Sequence, residues 1–99
     1  MLDKLKQVYD FQKKAKVIQR ELEEEKIEAG RENGKIRVLF DGGMKMKGIT
    51  IAEEFLTPGK KEWLERMIRE SVNDAIGQSQ KLAAGKMKEL TGGLGIPGL

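Results

Sequence analysis

Two long apolar stripes at helical spacing flank a stretch too short to cover them. From Leu2 to about Glu25 the chain holds no glycine or proline, and Val8, Phe11, Ala15, Ile18 and Leu22 recur at spacings of three, four, three and four. That is the seam of an amphipathic helix with coiled-coil character. A second stripe, Trp63, Leu64, Met67, Ile68, Val72, Ala75 and Ile76, thins to Leu82, Ala83, Met87 and Leu90. Thr57-Pro58 marks its start, threonine as cap and proline at the first helical position, and Thr91-Gly92-Gly93 marks its end. Gly77 and Gly85 inside this helix cost about 1 kcal/mol each relative to alanine, so its distal half leans on something outside its own propensity.

Between the stripes the period changes to two. Asn33-Gly34 suits a two-residue hairpin turn, which needs positive φ, and Ile36, Val38 and Phe40 alternate with Lys35, Arg37 and Leu39. Asp41-Gly42-Gly43 turns the chain again, and a third strand carries Met44 and Met46, then Ile49 and Ile51. The change of phase around Lys47-Gly48 predicts a β-bulge at Gly48. The expected fold is α+β: a long helix, a three-stranded antiparallel sheet and a second long helix, as one domain over residues 1–91. Residues 92–99 form a Gly/Pro-punctuated apolar tail, expected to be flexible, whose Leu94, Ile96 and Leu99 could dock on another chain.

Helices of about 24 and about 33 residues are about 36 and about 50 Å long, whereas strands of five to eight residues span about 17 to 27 Å. A compact domain of this size has a radius of gyration of about 13 Å. The helices must overhang the sheet, and a homodimer sharing sheet edges or helix faces, with the overhangs projecting as arms, is the economical solution.

With 38% apolar and 35% charged residues, the chain is wetter than an average domain. It contains neither cysteine nor histidine, which removes disulfides, the usual zinc and iron sites, thiol nucleophiles and imidazole bases. No enzymatic activity and no cofactor are expected. The absence of a signal-like or membrane-length apolar run points to the cytoplasm.

Net charge is only +3, so placement matters more than total. Met1 to Arg20 carries six basic and two acidic side chains, whereas Glu21 to Glu28 carries five acidic and one basic. This polarity opposes the helix dipole. Lys6, Lys13, Lys16 and Arg20 share a stripe with Tyr9, opposite the apolar seam. On the second helix Lys81, Lys86 and Lys88 face only Glu89 as local counter-charge. If the helices lie antiparallel, both basic regions meet on one arm. A solvated mixed-charge face is the commoner meaning of such a stripe taken alone; an arm that meets a phosphate backbone is the functional one, giving affinity without base readout.

The first helix with Gln7 and Gln12, Gly34-Lys35-Ile36-Arg37-Val38 leading to Asp41-Gly42, Ile49-Thr50-Ile51 before Phe55-Leu56, Leu64-Glu65-Arg66-Met67-Ile68 running into Val72-Asn73-Asp74-Ala75-Ile76, and the Lys86-Met87-Lys88 ending with its tail together resemble the YbaB/EbfC family of bacterial nucleoid-associated DNA-binding proteins. The resemblance covers essentially the whole chain. It implies a tweezer-like homodimer, DNA binding by protruding helices and a place in the nucleoid, with no catalytic residues or cofactors. The family's DNA contacts form no transferable signature, so Lys6, Lys13, Lys16, Arg20, Lys81, Lys86 and Lys88 are candidates from charge placement. The rival reading is an adaptor gripping a protein partner, such as a DNA repair or recombination protein; lysines on an arm also do not separate DNA from RNA.

Other constellations have plainer readings. Glu53-Glu54 and Glu23-Glu24-Glu25 read as solvated carboxylates rather than a metal or acid/base site. Asp41-Gly42-Gly43 opens no helix and reads as a turn rather than a phosphate cradle. Asn73-Asp74 reads as a helix-surface pair or a dimer contact, and Trp63 and Met67 as core or interface.

Overall fold

A computed structural model describes residues 2–92. The chain runs α1 (Leu2–Glu24), β1 (Ile27–Arg31), β2 (Ile36–Phe40), β3 (Met46–Ile51), two single 3-10 turns (Glu53–Phe55 and Pro58–Lys60) and α2 (Lys61–Gly92). The order is the expected α+β one: helix, antiparallel sheet, helix. The tail beyond Gly92, with Leu94, Ile96 and Leu99, lies outside the described residues.

The sheet is ordered β1-β2-β3 and antiparallel throughout. Ile27 opposes Phe40, Ala29 opposes Val38 and Arg31 opposes Ile36. At the β1–β2 turn the Lys35 N–H donates to the Glu32 carbonyl at 3.1 Å. Asn33 and Gly34 supply the positive φ that such a turn requires, at 57° and 86°. Glu32 is also at positive φ, 56°, a conformation costing about 1–2 kcal/mol outside glycine. In the β2–β3 ladder Leu39 opposes Gly48 but Phe40 opposes Met46. The bulge lies one residue before the expected Gly48, which stays paired: Lys47 is the extra residue, and it returns Met46 to the same face as Ile49 and Ile51.

The second helix begins later than Thr57-Pro58 implies. Pro58 opens a 3-10 turn, α2 proper starts at Lys61, and the Thr57 side chain caps nothing. Phe55 and Trp63 meet edge-on across this entry, ring centroids 5.0 Å apart, with Lys60 Nζ 5.0 Å from the Phe55 ring.

The N-terminal half of α2 lies across β1 and β2. Ser71, Ala75 and Ser79, spaced four apart, are fully buried and form a ridge of small side chains along α2. Ala75 packs with Ile27, Val38 and Phe40, while Ile36, Phe55 and Met67 form a neighbouring cluster with Trp63 and Leu64 around it. Each fully buried aliphatic here contributes about 1.5–3 kcal/mol. Arg31 clamps β1 to α2: Nη1 lies 2.7 Å from Asp74 Oδ2 and Nε 3.5 Å from Glu70 Oε1. The Asp74 hydrogen bond above all holds this guanidinium pKa above its ordinary value. Asp74 is therefore a helix-to-strand tie.

The distal half of α2 leaves the sheet and pairs with α1 through Ile18, Leu22 and Leu90, flanked by Phe11, Ala15, Leu82 and Ala83. The result is a small head and a long two-helix arm. Principal extents are 67 × 23 × 18 Å and the radius of gyration is 18.9 Å, well above the roughly 13 Å of a compact domain this long.

Candidate nucleic-acid interface

The arm is built by one antiparallel contact. Glu21 of α1 meets Lys86 of α2, while Leu90 sits farther toward the α1 N-terminus, in a groove with Asp10, Lys13, Lys14, Val17 and Ile18. Lower numbers on α1 thus face higher numbers on α2, and the two basic regions share one end of the molecule. Because α2 reaches α1 only as far as this groove, the seam beyond loses its cover. Every residue from Asp3 to Asp10 is exposed, with Leu5 at 69%, Val8 at 55% and Tyr9 at 65%. Val8, part of the expected seam, therefore packs little among the described residues.

Lys6, Lys13, Lys16 and Arg20 are all exposed. They lie between about 120° and 160° around α1 from buried Ile18, at 100° per residue. Tyr9, Gln12, Lys13 and Lys16 line a shallow depression on this face. A phenol beside two ammonium groups offers a neutral donor and a flat apolar surface among charge-assisted donors, the mixture that contacts phosphate and sugar. Lys4 and Lys14 are also exposed on α1 and were not singled out from the sequence, since they lie about 40° around the helix from Ile18, beside the apolar seam and off the stripe.

On α2 the three candidates divide. Lys86 Nζ lies 3.0 Å from Glu21 Oε2, and its side chain is only 20% exposed. The Glu21 carboxylate, by hydrogen bond first, holds this ammonium pKa above the ordinary lysine value. Lys81 and Lys88 point about 140–160° around the helix from Lys86, and both are exposed. Lys86 is thus a strut between the helices, while its two neighbours face solvent.

Ion pairing separates arm from head. Among the described residues the head pairs Arg31 with Glu70 and Asp74, Lys35 with Glu54, Lys47 with Asp41, Lys61 with Glu65 and Arg66 with Glu70. Lys6, Lys13, Lys16, Arg20, Lys81 and Lys88 make no ion pair among the described residues; on the arm only Lys86 does. Uncompensated cations on a narrow projection form a sequence-independent anion surface. Among the described residues, no cluster of three or more acidic side chains is arranged to hold a metal ion. No described helix is long and apolar enough to cross a membrane.

Comparison with known proteins agrees with this architecture. The chain matches the YbaB/EbfC DNA-binding family over residues 1–94. It is 38% identical over 95 residues to a nucleoid-associated protein of Desulforamulus reducens, covering 96% of this chain and 90% of that one. A nucleoid-associated protein of Nitrobacter winogradskyi is 33% identical over 96 residues, covering 97% and 91% of the two chains. The crystal structure of an uncharacterized Helicobacter pylori protein shares the fold with a TM-score of 0.64 at 15% identity, covering 75% of this chain and 86% of that one. By its sequence, the chain belongs to the YbaB/EbfC DNA-binding family.

Proposed function

We propose that this chain is a nucleoid-associated protein that grips duplex DNA with low sequence specificity through the basic arm. The observation that carries the reading is the contrast in charge pairing: acidic groups neutralise many of the cations in the head, whereas the arm presents Lys6, Lys13, Lys16, Arg20, Lys81 and Lys88 unpaired among the described residues. The family and the names of its relatives support DNA as the anion. Lysines dominate over arginines on the arm, and lysine neutralises phosphate as a point charge without the bidentate fork that reads guanine.

A second copy completes this reading. The apolar side chains of β3 turn toward the α2 side of the sheet, but α2 lies over β1 and β2. Met46 and Ile49 are left 42% and 48% exposed. A homodimer that covers this strip would also satisfy the open backbone edge of β3 and hold two arms apart as a tweezer.

A salt titration of duplex-DNA affinity tests the site. The logarithm of the affinity is expected to fall linearly with the logarithm of salt, by about 0.9 per phosphate neutralised. Replacing Lys6, Lys13, Lys16 and Arg20 together by Gln should weaken binding at low salt and flatten that slope. An unchanged slope would remove the arm as the contact surface, and equal behaviour on single-stranded RNA would remove duplex DNA as the preferred partner.

A further inference from the structure

Where α1 leaves the head it meets one turn, and that turn is held more firmly than a hairpin connection requires. The Gly42 N–H donates to the Leu22 carbonyl at 2.7 Å. A Cβ added to Gly42 would stand 2.8 Å from the Leu22 carbonyl oxygen and 3.1 Å from its Cα, so only glycine lets the turn approach the end of α1 this closely.

The turn is pinned from its other side. The Asp41 side chain is 3% exposed, and its Oδ1 accepts the N–H groups of Gly43 at 2.8 Å and Lys45 at 3.0 Å. Ser79 of α2, fully buried, donates its hydroxyl to the Asp41 carbonyl at 3.0 Å and accepts the Met44 N–H at 3.1 Å. A single five-residue turn therefore touches the last turn of α1, the sheet and the middle of α2. Connecting β2 to β3 requires neither the attachment to α1 nor the attachment to α2.

We propose that the Asp41–Lys45 turn, with Ser79, is the joint that sets the angle of α1 against α2 and so the placement of the basic tip. Asp41, Gly42 and Ser79 are positioning residues on this view, which rests on the DNA-binding reading above. The leverage is large. Lys6 lies about 24 Å along the helix from Leu22, so a tilt that moves the base by about 1 Å over one turn of about 5.4 Å moves the tip by about 4 Å. That exceeds the roughly 3.4 Å axial spacing of phosphates along one strand of a duplex. The same cations would then miss the phosphates they reach in register.

The chain lacks cysteine, so nitroxide labels can be placed at cysteines introduced into this chain. Paired labels at Thr50 in the sheet and at Gln19, Gln12 or Gln7 on α1, diluted with unlabelled protein, report the angle by pulsed electron resonance. Gly42→Ala should shift these distances progressively, least at Gln19 and by several ångströms at Gln7. Duplex-DNA affinity should fall several-fold although no charge is altered. Ser79→Ala, which creates no clash, should shift the distances in the same order by a smaller amount and guards against failure of Gly42→Ala to fold. Distances that do not move, or that move equally at all three positions in a folded variant, overturn the joint. A progressive shift with unaltered DNA affinity overturns its role in binding. If the unsubstituted chain binds no duplex DNA, the functional reading fails, while the distance series still decides whether the joint exists.

Discussion

Asp41 shows how one side chain can be buried and remain charged. Burial alone would push its carboxyl pKa up, but the Lys45 and Gly43 N–H donors, with Lys47 and Lys45 nearby, together hold it below the ordinary carboxylate value. A lowered folded-state pKa adds stability above the unfolded value, about 3.9, and that stability is lost as pH falls through the folded value. Thermal melts should therefore show a loss of stability below about pH 4 that Asp41→Asn blunts, along with a lower melting temperature at neutral pH; Glu54, lowered chiefly by its Lys35 hydrogen bond, keeps its own share of the acid sensitivity. Lys86 and Lys88 make a second residue-scale contrast. Lys88→Gln should reduce the salt slope of DNA binding by about 1 per arm engaged. Lys86→Gln should leave the slope nearly unchanged and alter stability little, since its pair with Glu21 is partly solvated. Equal slope changes in the two variants would contradict the strut role of Lys86.

At the scale of elements, α2 carries glycines where nothing among the described residues demands them. A Cβ at Gly85 would meet no heavy atom within 4 Å outside its own helix, so Gly85→Ala should stabilise the folded chain by about 1 kcal/mol, read as a melting temperature about 4–8 °C higher. A fall instead would mean that a second chain packs against the bare backbone there. Both helices, the three strands and a bulge in the third strand were legible in the sequence, because apolar period and glycine placement are local signals, although the bulge was expected at Gly48 and falls at Lys47. The start of α2 was misread, because whether Thr57 caps depends on where its hydroxyl aims, and a 3-10 turn absorbs Pro58 equally well. The exposure of Lys6, Lys13, Lys16, Arg20, Lys81 and Lys88 could be anticipated from the helical wheel. The capture of Lys86 by Glu21 could not, since it depends on the register between two helices far apart in sequence. The Asp41 turn looked like a plain hairpin for a similar reason: Ser79 and Leu22 reach it from both helices.

As a whole molecule, the chain joins a half-covered head to an arm. The strip of Met46 and Ile49 belongs to the head, so its association should be separable from DNA contact. Ile49→Glu would bury an unpaired charge in the proposed interface and should convert the dimer to a monomer in sedimentation at micromolar concentration. DNA affinity should then drop because two tethered arms act at high effective concentration and two free ones do not. A dimer of unchanged strength would place the interface elsewhere. The 67 Å length has a consequence for crowded chromosomes. A rod of this span laid parallel to a duplex shadows about 20 base pairs at 3.4 Å each, so modest copy numbers would mask much of a promoter from nucleases and polymerases without any base being read.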